Sequence, residues 1–312
     1  MSEKDNDISE DTNTKIISSN IDPSNILQHS RRSKDSANAF SVFTPKNHKQ
    51  AMRSQEDTDW KEAERKEYKN MDNHNAWIER PRQEDDLPIP STWAFRKKLG
   101  ADNEVVEFKA RICAQGFRQT FGLDFHAKYA PTGRPVSLRY LVSFAINNDY
   151  KIHQLDVRSA FLTCPLEDKV TMLPPPGYEG DKNNVFELKK AVYGLRQAPL
   201  VWYKRLTDFL KSIGFKISVS DPCVFWREEE SNKPKTWIYC HVDDLVIISK
   251  NPLIFKAEIE KEFAIKYMGE AEFLLGMKIN RKENSVTINQ LQYIERKLAE
   301  YDLLSEHRGV VE

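Results

Sequence analysis

One stretch constrains the fold more than any other. It is Trp237-Ile238-Tyr239-Cys240-His241-Val242-Asp243-Asp244-Leu245-Val246-Ile247-Ile248-Ser249, two apolar runs with a pair of aspartates between them. Runs rich in β-branched and aromatic residues around a short polar break predict a β-hairpin. Two-residue hairpin turns favour Asn-Gly or Asp-Gly, because their backbone needs positive φ. Asp243-Asp244 is a poor turn on those grounds, and adjacent like charges raise the pKa of one carboxylate unless a cation intervenes. The pair has two readings, a solvated turn and a metal-binding hairpin, and the rest of the chain weighs between them.

A chain of 312 residues with 39% hydrophobic content can bury a sizeable core in one large domain or two smaller ones. No run approaches the eighteen or so apolar residues of a membrane span. The N-terminal stretch from Met1 to Lys15 lacks the apolar segment of a signal peptide. These features predict no membrane partner and a cytoplasmic or nuclear location. Cys113, Cys164, Cys223 and Cys240 form no CxxC pair and suit neither a zinc site nor a disulfide framework. Lys plus Arg equals Asp plus Glu at 47 each, so net charge does not advertise nucleic acid. Locally basic segments exist at Arg96-Lys97-Lys98 through Lys109, Arg111 and Arg118, and around Lys189-Lys190, though such runs are commonly solvated faces.

Residues 1–50 are dominated by Ser, Asn, Asp and Lys, a composition that predicts disorder. Asp59, with Glu62 three residues on, reads as the N-cap of a helix running to about Asn70. Thr92 to Lys98 and Val105 to Cys113 read as strands joined by Gly100-Ala101-Asp102-Asn103. Lys109 and Arg111 are two apart on the second strand and share a face, either as exposed charges or as a two-pronged phosphate clamp. Pro135 opens a predicted helix whose buried face is Leu138, Leu141, Val142 and Ala145. Tyr150 to Val157 reads as a strand with Ile152, Gln154 and Asp156 on one side, so an acid stands at its end. A helix from about Ala198 carries Trp202, Leu206, Phe209, Leu210 and Ile213 as one stripe, and Gly214 stops it. Phe255, Ile259 and Phe263 mark another helix. Phe273 to Ile279 and Val286 to Ile288 suggest a second hairpin, followed by a helix with Leu291, Ile294 and Leu298. Strands and helices intermix without βαβ alternation, which predicts an α+β fold with a mainly antiparallel sheet that could bring Asp156 beside Asp243 and Asp244.

The segments Phe108 to Phe117, Gln154 to Leu162, Tyr193 to Tyr203 and Val242-Asp243-Asp244 occur in an order and spacing that resemble copia-type retrotransposon reverse transcriptases, over about Trp60 to Leu304. The resemblance implies a right-hand polymerase fold with an antiparallel palm sheet and fingers in residues 51–312. The thumb is expected to be incomplete or absent. It implies RNA-directed and DNA-directed DNA synthesis from dNTPs on a primed RNA or DNA template, in a virus-like particle or the nucleus, with other parts of the element's polyprotein as partners. Asp156, Asp243 and Asp244 become the catalytic acids. With the Val157 carbonyl they become ligands for two Mg²⁺ ions, which Mn²⁺ can replace. Lys109 and Arg111 match the residues that grip the triphosphate, Gln197 the one that touches template and base pair, and Phe161 the bulky group that blocks a ribose 2′-OH. Lys266 is a weaker match for a group that protonates pyrophosphate. Two positions depart from the pattern: His241 stands where the family usually has Tyr, and Thr163-Cys164 where it usually has Asn-Gly. They motivate a second reading, a catalytically impaired relic or a co-opted nucleic-acid-binding protein.

Overall fold

Four consecutive apolar residues, Leu245-Val246-Ile247-Ile248, can all be buried only in a strand covered on both faces, and each is 3% exposed or less. The computed structural model describes residues 43–99, 104–230, 232–282 and 285–300. In chain order its helices and strands begin with α1 (His48–Ala51), α2 (Asp57–Asn73), β1 (Trp77–Pro81), β2 (Ser91–Leu99), β3 (Val105–Ala114), α3 (Pro135–Asn147) and β4 (Lys151–Val157). There follow β5 (Thr171–Met172), β6 (Asn184–Leu188), α4 (Ala198–Ser212), β7 (Lys216–Ile217), β8 (Val224–Arg227), β9 (Thr236–His241) and β10 (Asp244–Ser249). The last are α5 (Pro252–Ile259), β11 (Ile265–Glu270), β12 (Phe273–Leu274), β13 (Met277–Lys282), β14 (Ser285–Asn289) and α6 (Leu291–Glu300). The chain divides into two units, Val42–Ile294 and a second that joins Met1–Ser41 to Glu295–Glu312. Of the second, only Glu295–Glu300 are described, as the end of α6.

A six-stranded antiparallel sheet in the order β11-β4-β10-β9-β8-β7 forms the centre of the first unit. Leu155, Val157, Leu245, Ile247 and Ile238 share one core with Trp202, Leu206 and Leu210 of α4 and with Phe255 and Ile259 of α5. Ile152, Val246, Ile248 and Tyr239 share the other with the predicted face of α3 and with Leu274, Met277 and Ile279. The two-residue period of the strands thus sorts neighbouring side chains into two cores. The α+β antiparallel architecture expected from the sequence is what forms. Three small sheets surround it, β1-β6-β5, β2-β3 and β12-β13-β14. Helix α2 lies against the β2-β3 hairpin, where Trp60 meets Phe95 and Phe108 edge-on at 5.1 and 4.8 Å.

Several boundaries differ from the sequence reading. The predicted disorder of residues 1–50 lies outside the described residues up to 42, but Phe43 onward is described: the Asn47 side chain caps α1, whose Ala51 is fully buried. Helix α2 starts at Asp57 with Glu56 before it, so Asp59 is not the cap but an acid in the first turn, where the helix dipole favours it. The turn Gly100 to Asn103 lies outside the described residues. Phe273 to Ile279 is not one strand: Leu275 and Gly276, at φ 52° and 77°, fold it into the hairpin β12-β13. Phe263 falls beyond the end of α5 yet is buried, edge-on to Trp202 at 5.3 Å.

Glu64 of α2 faces His48 of α1 at 3.6 Å, and burial pushes its carboxyl up to about 7. A folded-state pKa above the ordinary 4.5 means that ionisation opposes folding. The cost is absent below about pH 4.5, grows as the pH rises toward 7 and is complete above it. Glu64→Gln is therefore expected to raise the thermal midpoint near pH 8 and to leave it unchanged near pH 4. Thermal unfolding at the two pH values checks this, and an equal shift at both would contradict it.

Candidate active site

The register of three neighbouring strands assembles the acids. Asp244 of β10 is the cross-strand partner of Asp156 of β4, with Val246 opposite Gln154 one step further in. On the other side of β4, β11 sets Lys266 opposite Asp156. Across the hairpin, His241 pairs with Asp244, so the two-residue turn is Val242-Asp243 and not Asp243-Asp244. That one-residue shift decides the chemistry, because it places Asp244 inside the strand on the face that Asp156 shares.

The shifted turn puts a β-branched residue at positive φ, Val242 at 60°, a strained conformation that persists only where its surroundings enforce it. Both turn carbonyls are tied down. Trp202 Nε1 of α4 donates to the Val242 carbonyl at 2.7 Å, and the Val157 amide donates to the Asp243 carbonyl at 3.0 Å. The apolar stripe of α4 thus also carries the donor that fastens the hairpin tip. Trp202→Phe keeps most of the packing and removes that donor; it is expected to destabilise the protein by about 1–3 kcal/mol. Chemical denaturation measures the change, and an unaltered midpoint would show that the bond does not hold the turn.

Asp156, Asp243 and Asp244 are all half-buried. Burial, then the like charges of Asp243 and Asp244, push the Asp156 carboxyl above the ordinary carboxylate range, against the pull of Lys109 and Lys266. Burial and Asp243 do the same to Asp244, partly offset by Gln154, whose Nε2 donates to Asp244 Oδ1 at 3.5 Å, and by His241. Among the described residues no three His, Cys, Asp or Glu side chains are gathered into a metal cage. The donor set nevertheless fits a hard divalent ion: Mg²⁺ is commonly bound by one or two carboxylates, with water and substrate phosphates completing its shell. A cation there would relieve the repulsion that lifts the Asp156 and Asp244 pKa values.

Strand β3 brings cations to this end of the sheet. Among the described residues neither the Lys109 ammonium nor the Arg111 guanidinium has an ion-pair partner, whereas Lys97 and Lys98 next door pair with Glu56 and Glu107. Burial, then Arg111 and Lys98, lower the Lys109 pKa, while Glu107 and Asp156 oppose the shift. The Arg111 guanidinium lies over Tyr193, its Cζ 4.5 Å from the ring centroid. Phe161, 8% exposed in a short 3-10 turn (Ala160–Thr163), meets the same Tyr193 ring edge-on at 4.9 Å. The unusual Thr163-Cys164 is accommodated in that turn, where Thr163 Oγ1 donates to the Ala160 carbonyl at 2.6 Å. Tyr193, the ring that Arg111 and Phe161 share, was not singled out in the sequence; its only signal was a place inside the Tyr193 to Tyr203 segment.

Gln197 does not present a free amide. It is 2% exposed, and its Nε2 donates to the Asp124 carbonyl at 2.9 Å and to Asp168 Oδ2 at 3.2 Å. Its Oε1 accepts from Gln119 Nε2 at 3.1 Å. Those bonds join the loop after β3 to the start of α4. His241 is half-buried, and its Nδ1 has no hydrogen-bond partner among the described residues.

An antiparallel sheet in an α+β fold, with opposed aspartates beside its hairpin turn and unpaired cations within electrostatic reach, is the arrangement expected of a nucleic-acid polymerase. The profile of the reverse transcriptase (RNA-dependent DNA polymerase) family matches residues 74–311, and the chain belongs to that family, in its copia type. It is 36% identical over 223 residues to a retrovirus-related Pol polyprotein from transposon TNT 1-94 of Nicotiana tabacum, covering 69% of this chain and 17% of that one. It is 31% identical over 273 residues to the Pol polyprotein from transposon RE1 of Arabidopsis thaliana, covering 86% and 18%. The chain thus spans less than a fifth of the length of these curated relatives. A solved foamy viral protease-reverse transcriptase in complex with double-stranded DNA aligns over 80% of this chain and 40% of that one, at 14% identity and a TM-score of 0.44. Among the described residues no helix is long and apolar enough to cross a membrane.

Proposed function

We propose that this chain is the polymerase part of a copia-type reverse transcriptase, extending a primer 3′ end with dNTPs on an RNA or DNA template. The observation that carries the reading is the register that makes Asp156 and Asp244 cross-strand partners, with Asp243 in the turn beside them. Asp156, Asp243, Asp244 and the Val157 carbonyl are the groups that would hold two Mg²⁺, or Mn²⁺ in its place. Bound there, the ions supply charge stabilisation to the attacking primer oxygen and the leaving pyrophosphate. The remaining work falls to the chain's own side chains. Lys109 and Arg111 grip the triphosphate, the guanidinium offering a fork of parallel donors. Phe161 bars a 2′-OH from the sugar position. Gln197 serves the template side indirectly, by fixing the loop that contains Gln119 and Asp124. In this reading the β2-β3 hairpin belongs to the fingers and the central sheet is the palm, acting within the element's polyprotein in a cytoplasmic virus-like particle or the nucleus.

Primer extension on an RNA template with Mg²⁺ or Mn²⁺, beside Asp243→Asn, tests the proposal. Metal-dependent synthesis that disappears in the variant supports it; equal synthesis by both proteins contradicts it. The engaged Gln197 amide and the ungathered carboxylates favour one other reading, a non-catalytic nucleic-acid-binding protein. Retained primer–template binding with no synthesis by either protein would establish that reading instead.

A further inference from the structure

Tyr193 touches the candidate phosphate clamp and the candidate sugar gate with one ring: the Arg111 guanidinium lies over it at 4.5 Å and Phe161 meets it edge-on at 4.9 Å. A guanidinium over an aromatic face is held by its charge and not through its N–H groups, and Arg111 has no ion-pair partner among the described residues, so no carboxylate claims its donors. The backbone under the ring is held against the strand that carries Arg111. The Ala114 amide donates to the Tyr193 carbonyl at 2.8 Å. Gly194 follows at φ +91°, and a Cβ there would lie 2.0 Å from the Ala114 carbonyl oxygen. Only glycine permits so close an approach, so the backbone that carries the ring is fixed against the strand of Arg111.

We propose that Tyr193 is a specificity-determining positioning residue. Its ring sets Arg111 and Phe161 in one geometry, so that an incoming nucleotide held by its phosphates has its ribose carbon 2′ against Phe161. Discrimination between dNTP and rNTP then depends on Tyr193 although the ring need not touch the sugar. This rests on the reading of the site as a polymerase site.

The test compares wild type, Tyr193→Phe and Tyr193→Leu. Single-nucleotide extension with dATP and ATP gives kcat and KM for each. Binding of the same two nucleotides, with Mg²⁺, to a complex whose primer ends in a dideoxynucleotide needs no chemistry. Tyr193→Leu removes the aromatic platform and is expected to raise the dATP KM about tenfold and to narrow the dATP-to-ATP preference by a similar factor, with kcat changed less. Tyr193→Phe keeps the ring and is expected to stay within about twofold of wild type in both. Combining Tyr193→Leu with Phe161→Val is expected to narrow the preference no further than Phe161→Val alone, because both act through one contact. An unchanged preference in a Tyr193→Leu protein whose thermal midpoint shows it folded overturns the inference. So does a loss confined to kcat, or full additivity in the double variant. Should Tyr193→Leu fail to fold, a Tyr193→Phe protein with lost discrimination overturns it equally. Wild type that binds dATP over ATP but extends no primer overturns the polymerase reading alone, and the binding preference of the variants still decides the role of Tyr193; wild type that binds neither nucleotide overturns both.

Discussion

Asp156→Asn is expected to abolish nucleotide addition, by on the order of a thousandfold or more, and at the same time to make the protein harder to unfold. Both effects come from one crowded position. Asp156 is half-buried, faces Asp244 across the strand pair and feels Asp243 from the turn. The like charges and the burial outweigh Lys109 and Lys266, because the net shift of its pKa is upward. A raised pKa means that ionisation of Asp156 opposes folding of the metal-free chain, a cost absent below the ordinary carboxylate pKa and present at neutral pH, and asparagine, of the same shape without the charge, is expected to remove it there. Sites that concentrate charge for catalysis commonly trade stability for activity in this way. Thermal unfolding in a chelating buffer and single-turnover primer extension measure the two halves. A variant that loses activity and also melts lower would show that Asp156 is held by favourable contacts and not tolerated for function.

Phe161→Val is expected to admit ribonucleotides, improving ATP use relative to dATP by roughly 10- to 100-fold. Its ring is nearly buried and lies edge-on to Tyr193, so the same change also empties core volume and is expected to cost about 2 kcal/mol of stability. The two consequences are separable. Urea denaturation reports the packing loss, and competing dATP and ATP incorporation reports selectivity. A lower midpoint with unchanged selectivity would reduce Phe161 to a core residue.

Much of the architecture was legible because burial is periodic. The stripe Trp202, Leu206, Leu210 marked α4, Leu138 to Ala145 marked α3, and the apolar run Leu245 to Ile248 marked a hairpin strand, whose two faces the structure covers. The spacing of Lys109 and Arg111 placed two cations on one strand face. Strand β11 was not legible: its Ile265-Lys266-Tyr267-Met268-Gly269-Glu270 is half exposed and interrupted by glycine, so its period carried little weight. With it went the position of Lys266 beside Asp156. The burial of Gln197 was not legible either, because it depends on Gln119, Asp124 and Asp168, none of them near it in sequence.

By itself the sequence determined the α+β class, through the periodic burial of its segments, and the family, through the order and spacing of four motifs, and it put forward Asp156, Asp243, Asp244, Lys109 and Arg111 as candidates. Only the tertiary structure decided that the turn is Val242-Asp243, that Asp244 faces Asp156, and that Tyr193 lies between Arg111 and Phe161. Each of these is a register or a contact between segments far apart in the chain. A one-residue slip of the hairpin would turn every side chain of β10 to the opposite face. What prevents the slip is the Trp202 bond to Val242, the Val157 bond to Asp243 and the two cores that clasp β10 from either side.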